Sequence, residues 1–198
     1  TAVINASLYG AVKAFRESGA DGHVLGMING IEGFLADHVM DLSTDLSDKE
    51  LELLKLTPAA YLGSCRYKLP ADLDSEVYPA IFDNFREMNI GYFLYVGGND
   101  SMDTVDKLSR YAEKIGSDVK FIGIPKTIDN DLWGTELTFG FQSAIDIAST
   151  VIDSIHSTAF SHSRVFIVEV MGHKAGWLTL YAGIASGADV IVIPEIPY

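Results

Sequence analysis

The sequence is poor in cysteine: Cys65 is the single cysteine among 198 residues, so no internal disulfide can form. Disulfides belong to oxidising compartments, and their absence favours a reducing, cytoplasmic location. No basic segment followed by an apolar run opens the sequence, so we expect no secretory signal. No apolar stretch reaches the length of a membrane-spanning helix. We therefore expect a cytoplasmic protein without a membrane partner.

Positive charge is also scarce, with 14 lysine and arginine residues against 27 acidic residues and a net charge of −13. Nucleic acids and anionic membranes bind to basic surfaces, so this balance argues against both as partners. A phosphate ligand remains compatible with it. Backbone N–H groups and a few cations can build a local phosphate site in an acidic protein.

Apolar residues alternate between helical spacing and short continuous runs, which predicts helices alternating with buried strands. Predicted helices cover 3–17, 75–88, 102–115, 145–159 and 178–184, and predicted strands cover 24–28, 92–96, 119–124, 165–170 and 190–193. The polar stretch 41–56 is predicted as a surface segment with a short helix. This alternation is typical of an α/β fold, a Rossmann-like parallel sheet with helices on both faces. The run 92–96 is predicted to be buried on both faces.

Ligands of open parallel sheets bind at the carboxyl ends of the strands, so the loops there carry the functional signal. The first such loop is Gly97-Gly98-Asn99-Asp100-Ser101. Its two glycines allow a phosphate to approach the backbone, and the helix that follows offers free N–H groups. Asn99 or Asp100 could hold a hard cation through oxygen. The alternative is a tight turn in which Asp100 or Ser101 caps the helix.

The second loop places one cation, one hydroxyl and two carboxylates at the end of the strand 119–124: Lys126, Thr127, Asp129 and Asp131. Phosphoryl transfer needs this set, since a cation offsets the charge of the moving group and a carboxylate accepts a proton from the attacking hydroxyl. The alternative is an Asx-rich turn with solvated carboxylates.

The third loop, Glu169–Trp177, places His173 and Lys174 between Gly172 and Gly176 at the start of a helix. An anionic substrate could lie on this backbone. A plain exposed loop is the alternative interpretation.

Together and in this order, the three loops resemble the phosphofructokinase family, whose members carry Gly-Gly-Asp-x-Ser, Thr-Ile-Asp-Asn-Asp and Met-Gly-Arg loops. The matching segments here are 97–101, 127–131 and 171–173. Three further segments, 61–66, 162–164 and 192–195, resemble the family as well, so that the resemblance covers nearly the whole chain. The second loop is its most specific part.

Two positions bear on the phosphoryl donor that the resemblance implies. Pyrophosphate users of the family have aspartate after the first loop's usual acidic residue, as Asp100 is here, and lysine before Thr-Ile-Asp, as Lys126 is here. ATP users generally have glycine at both positions. The resemblance therefore implies transfer from pyrophosphate to fructose 6-phosphate with Mg²⁺. An ATP-dependent member of the family is the alternative.

The matched positions imply roles for individual residues. Asp129 would be the general base, assisted by Lys126 and Asp100. The implied substrate-binding residues are Thr127, Ile128, Asp129, Asp131, Arg164, Met171, Gly172 and His173; the donor-binding residues are Gly98, Arg66, Asp100 and Ser101; the metal positions are Asn99, Asp100 and Asp131. Arg164 matches an arginine that reaches a neighbouring subunit, which implies a homodimer or homotetramer with shared sites.

Two departures and one absence accompany the resemblance. Asn99 replaces the usual aspartate and His173 the usual arginine, and these changes give weight to a third hypothesis, a non-catalytic subunit that binds sugar phosphate. Family members also begin with a strand and a Gly-rich loop and continue well past this chain. We therefore expect a fragment, with residues 1–138 forming a phosphoryl-donor lobe that lacks its first strand and residues 139–198 starting a sugar-phosphate lobe.

Overall fold

The computed structural model describes residues 2–197 and contains seven helices and four strands within them. The helices are α1 (Ala2–Ser18), α2 (Gly30–Leu35), α3 (Asp48–Leu54), α4 (Val77–Glu87), α5 (Asn99–Ile115), α6 (Phe141–His162) and α7 (Trp177–Ala185). The strands are β1 (Leu25–Met27), β2 (Val39–Asp41), β3 (Tyr92–Gly97) and β4 (Lys120–Pro125). All five predicted helices are present. Within residues 2–197, none of the helices is both long enough and apolar enough to cross a bilayer.

Strands β3 and β4 form a parallel pair that runs in register from Tyr92 beside Lys120 to Gly97 beside Pro125. Helix α5 connects them and packs on both strands. An aromatic core stabilises this arrangement, with the rings of Phe85 and Phe93 5.3 Å apart. Because both strands end at the same edge, the first turn of α5 and the segment after Pro125 begin where ligands of such folds bind.

The predicted strand 24–28 does not join the parallel pair. It forms β1, which pairs antiparallel with β2 so that Leu25 lies opposite Asp41. The short helix α2 occupies the connection between them, which is too brief for the crossover that a parallel pair requires. The segment 41–56 is also less of a surface excursion than predicted, since Leu51 and Leu54 are buried in a cluster with Val12 of α1.

Two predicted strands are wrong, and one strand is less buried than predicted. Segments 165–170 and 190–193 have no ladder partner among residues 2–197, and Ile167 is 96% exposed. A strand exists only when a neighbour pairs with its backbone groups. Strand β3 is covered on one face only, because Phe93 is buried while Tyr92 is 72% exposed.

The chain has the predicted α/β fold, with a parallel strand pair and helices. It divides into two compact units, Thr1–Pro125 and Lys126–Tyr198, here called the first and second units. This boundary falls ahead of the predicted lobe boundary at 138 and 139. The assignment of a donor lobe and a sugar-phosphate lobe stays a prediction.

Asn5 fixes the course of the segment that leads to Arg66. Its side chain is fully buried, and its amide donates to the carbonyls of Thr57 and Ala59 at 2.8 and 2.9 Å. Its Oδ1 accepts the N–H of Tyr61 at 2.7 Å. An asparagine on α1 therefore satisfies three backbone groups of a loop more than fifty residues away in sequence.

Replacement of Asn5 with alanine is expected to lower the free energy of unfolding by about 2 to 4 kcal/mol, because three backbone groups lose their buried partner. Urea denaturation of the full-length protein measures this change. Asn84→Ala is the matched control, since Asn84 makes one bond to the Phe34 carbonyl and its loss costs about 1 kcal/mol. Equal effects of the two variants would contradict the prediction.

Candidate active site

Helix α5 starts at the first of the three loops. Gly98 is its N-cap, and Gly98 accepts the N–H groups of Ser101 and Met102 at 2.9 and 3.1 Å. Asp100 and Ser101 lie inside the first turn, so the alternative in which one of them caps the helix is wrong. A β-carbon at Gly97 would clash with the Ser101 hydroxyl. The loop therefore keeps the small residues that let a phosphate approach a helix N-terminus.

A cavity of about 390 Å³ lies beside this helix start in the first unit. The loop residue Arg66 and the α5 residues Asp100 and Ser101 line it together. Three of the four residues predicted to bind the donor thus meet in one cavity, and the fourth, Gly98, begins the helix that forms its wall. Lys68 also lines the cavity, although no sequence motif pointed to it.

The lining of this cavity also includes a tyrosine and a cysteine. Tyr95 and Cys65 form part of it, and a β-carbon at Gly30 would lie 3.0 Å from the Cys65 Sγ. Burial, and next the neighbouring Cys65 thiol, raise the pKa of Tyr95 to about 12. The charge of the cavity is therefore set by its lysine, its arginine and its aspartate.

The second loop begins the second unit and is an ordered turn. The Asp129 N–H donates to Thr127 Oγ1 at 3.0 Å. Asn130 adopts a positive φ of 56°, accepts the Thr138 N–H at 2.9 Å and donates to the Glu136 carbonyl at 3.2 Å. The turn holds the Asp129 side chain in a half-buried position. This geometry is compatible with the predicted role in phosphoryl transfer and also with a plain Asx-rich turn.

Asp129 lies in a perturbed electrostatic environment. Burial raises its pKa above that of an ordinary aspartate, and the nearby Asp131 carboxylate raises it further, while His173 and Lys126 act in the opposite direction. The structure thus brings four of the predicted site residues into electrostatic contact within the second unit. A carboxylate with a raised pKa beside cations is suited to proton transfer.

The third loop is a tight turn before α7. A β-carbon at Gly172 would clash with the Ala175 carbonyl, the Ala175 N–H donates to the Gly172 carbonyl at 2.7 Å, and His173 has a φ of 48°. The Gly176 N–H donates to the Glu195 carboxylate at 2.8 Å. Glu195 thus occupies a backbone donor that the sequence analysis left open for an anionic substrate. A contact between residues 19 positions apart has no local sequence signal.

The remaining predicted substrate residues differ in exposure. Ile128 packs on the small core formed by Phe141, Ile145 and Leu178. Met171 is 69% exposed. Arg164 is exposed and lies two residues past the end of α6, where its N–H donates to the Ala159 carbonyl at 3.0 Å.

The predicted metal positions do not form a closed cage. Among residues 2–197, no cluster of three or more histidine, cysteine, aspartate or glutamate side chains has an arrangement that could hold an ion. Mg²⁺ often binds through one or two carboxylates together with substrate phosphates. The neighbouring carboxylates of Asp129 and Asp131 fit that mode of binding, since a cation would relieve their repulsion.

The family model for phosphofructokinase matches residues 1–198. The chain is 40% identical over 202 residues to ATP-dependent 6-phosphofructokinase 3 of Bacteroides thetaiotaomicron, covering 98% of this chain and 56% of the relative. It is 38% identical over 210 residues to pyrophosphate–fructose 6-phosphate 1-phosphotransferase of Halomonas elongata, covering 100% of this chain and 50% of that protein. The chain thus spans about half the length of these curated relatives.

A solved structure shows the same likeness. The pyrophosphate-dependent phosphofructokinase of Marinobacter aquaeolei is 39% identical and superposes with a TM-score of 0.82 over 100% of this chain and 51% of its own. Together with the family match over the whole chain, this likeness leads to one conclusion: the chain belongs to the phosphofructokinase family.

Proposed function

We propose that the full-length protein transfers a phosphoryl group from pyrophosphate to the C1 hydroxyl of fructose 6-phosphate, giving fructose 1,6-bisphosphate and orthophosphate in the cytoplasm. The observation that carries this proposal is the half-buried Asp129 carboxylate, whose pKa responds to Asp131, His173 and Lys126. Family membership supports the reaction class.

The choice of pyrophosphate rests on Asp100 and Lys126, which stand where pyrophosphate users of the family have aspartate and lysine. The cavity beside the start of α5, lined by Arg66, Asp100 and Ser101, is here called the donor cavity. The carboxylate of Asp100 in this cavity would repel the α-phosphate of a nucleotide. The names of the relatives from Halomonas elongata and Marinobacter aquaeolei support this choice. Several curated relatives named as ATP-dependent favour the ATP-dependent alternative.

In the proposed mechanism, the C1 hydroxyl oxygen of fructose 6-phosphate attacks the terminal phosphorus of pyrophosphate, and Asp129 accepts the proton of that hydroxyl. A new P–O bond forms, the bond to the bridging oxygen breaks, and orthophosphate leaves. Thr127 restrains the backbone at Asp129 through its bond to the Asp129 N–H, which holds the base in place. Such a positioned base contributes about 10²- to 10⁴-fold to a rate.

Charge on the moving phosphoryl group requires compensation. Lys126, close enough to influence the pKa of Asp129, would supply a positive charge on the acceptor side. Mg²⁺ would be held by the donor phosphates with Asp131, Asp100 or Asn99, and when bound it would offset the charge of pyrophosphate. Arg66, Gly98 and Ser101 would bind the donor.

Fructose 6-phosphate would contact Ile128, Met171, Gly172 and His173. Arg164 is exposed after α6, and we propose that it reaches a sugar phosphate bound to a second copy of the chain in a homodimer or homotetramer.

The pH dependence of kcat/KM follows from the pKa of Asp129. Asp129 acts as a base only when it is deprotonated, so kcat/KM falls as the pH drops through the pKa of Asp129. Because this pKa is raised, the acid limb of the pH profile lies at higher pH than it would for an ordinary aspartate. Asp131→Asn removes a negative charge and is expected to move the limb to lower pH. His173→Gln removes a positive charge and is expected to move it to higher pH. If the acid limb lies at the same pH in the parent protein and in both variants, Asp129 is not the group that titrates.

Incubation of the full-length protein with fructose 6-phosphate, Mg²⁺ and pyrophosphate tests the activity. We expect fructose 1,6-bisphosphate and orthophosphate in equal amounts. Binding of fructose 6-phosphate without turnover on pyrophosphate or ATP would favour the non-catalytic subunit instead.

A further inference from the structure

The lining of the donor cavity contains an ion pair between a lysine and an aspartate. Lys68 Nζ lies 3.0 Å from Asp100 Oδ1, and both residues line the cavity with Arg66. The side chains are 71% and 72% exposed. An ion pair this exposed contributes little to stability, so the fold gains little from placing a lysine here.

The pair changes the charge that a ligand meets. Asp100 alone would repel any phosphate that enters, pyrophosphate included, and Arg66 alone would only balance it. With Lys68 the charged side chains that line the cavity, two cations and one carboxylate, leave a net charge of one positive. Tyr95, which also lines the cavity, adds no charge at neutral pH because burial raises its pKa to about 12. A concave site of this sign concentrates small anions.

The backbone that carries Lys68 is fixed independently of the ion pair. Lys107 of α5 donates to the Leu69 carbonyl at 3.0 Å and to Asp103 at 2.6 Å, and Leu69 is buried. The segment is therefore tied to α5 without Lys68. Loss of the Lys68 ammonium should remove a charge and a tether on Asp100 while leaving the segment in place.

We infer that Lys68 is a positioning and specificity-determining residue for the phosphoryl donor. It holds the Asp100 carboxylate on one side of the cavity and offsets its charge, so that Asp100 can exclude a nucleotide without repelling pyrophosphate. This inference rests on the proposed function only for the identity of the donor. Its physical content is a coupling between Lys68 and Asp100 in donor affinity.

A double-mutant cycle in the full-length protein tests this coupling. The variants are Lys68→Met, Asp100→Asn and the double substitution, with kcat and KM for pyrophosphate as readouts. In the parent protein, Lys68→Met is expected to raise the KM for pyrophosphate by roughly tenfold, because the charge of Asp100 is then no longer offset. In the Asp100→Asn background, the same substitution is expected to raise this KM by no more than about threefold. We expect kcat of Lys68→Met to change by less than about threefold, since Lys68 is assigned neither proton transfer nor a metal position.

Lys114→Met is the matched control. Lys114 lies on α5, the helix that carries Asp100, and it also forms an exposed ion pair, with Asp74, but it does not line the cavity. Its replacement with methionine removes one positive charge from the protein, as Lys68→Met does, and should leave KM unchanged. Melting temperatures of Lys68→Met and Lys114→Met should stay close to that of the parent protein.

Each outcome decides the inference. An unchanged KM in Lys68→Met, or the same fold-change with and without Asp100, overturns it. If the parent protein uses ATP and not pyrophosphate, the proposed function and the exclusion of nucleotides by Asp100 both fail. The same cycle with the KM for ATP then decides the coupling between Lys68 and Asp100: non-additivity supports the coupling and additivity overturns it.

Discussion

Replacement of Asp129 with asparagine is expected to lower kcat for fructose 1,6-bisphosphate formation by about 10³-fold. Asparagine keeps the size of the side chain but cannot accept the proton of the attacking hydroxyl, and a positioned base contributes 10² to 10⁴ in rate. The half-buried position and the raised pKa of Asp129 support its proposed role as the base. Steady-state kinetics of the full-length protein measure the change.

The affinity for fructose 6-phosphate separates loss of the base from loss of the site. We expect its dissociation constant, measured by calorimetry, to change by less than about fivefold in Asp129→Asn, because the lost function belongs to the transition state. Asp153→Asn, on the exposed surface of α6 in the same unit, serves as the control and should retain full activity. If kcat of Asp129→Asn falls by less than tenfold, a group other than Asp129 accepts the proton.

Replacement of Lys126 with methionine is expected to lower kcat/KM for pyrophosphate by about 10²-fold. Methionine preserves much of the side chain's length and apolar stem but removes the charge, and the loss of one preorganised electrostatic contact to a developing charge costs 10² to 10³ in rate. Because Lys126 also lowers the pKa of Asp129, the acid limb of the pH profile should move to higher pH in this variant. Rates over a pH series measure both effects.

Lys120→Met is the control for Lys126→Met. Lys120 begins strand β4 and Lys126 directly follows its end, so that the two lysines lie at opposite ends of the same strand. The control should have the parent's kcat/KM and an unmoved acid limb. Equal losses in the two variants would indicate a general effect of charge and would contradict a specific role for Lys126.

Local patterns in the sequence predicted much of this structure because they encode local physics. The helical spacing of Met102, Val105 and Leu108 predicted α5, and the run 92–96 predicted β3. The loop 126–131 was recognisable because a cation, a hydroxyl and two carboxylates follow a strand. The structure brings Asp129, Asp131, Lys126 and His173 together, as a site for phosphoryl transfer requires.

Features that depend on distant contacts escaped prediction. Segments 165–170 and 190–193 have the composition of strands, but pairing with a neighbour decides whether a strand forms. The contacts of Lys68 with Asp100 and of Glu195 with Gly176 carried no sequence signal, because the fold brings these partners together. Asn5 also looked like an ordinary helical residue until its buried bonds to Thr57, Ala59 and Tyr61 became visible.

Transfer from pyrophosphate rather than ATP is the central claim, and the ratio of kcat/KM for the two donors tests it most directly. The measurement uses the full-length protein with saturating fructose 6-phosphate and Mg²⁺ and follows fructose 1,6-bisphosphate. The charge and position of Asp100 and Lys126 predict a ratio of at least about 10² in favour of pyrophosphate. A ratio below one would contradict the donor assignment while leaving the family and the role of Asp129 in place.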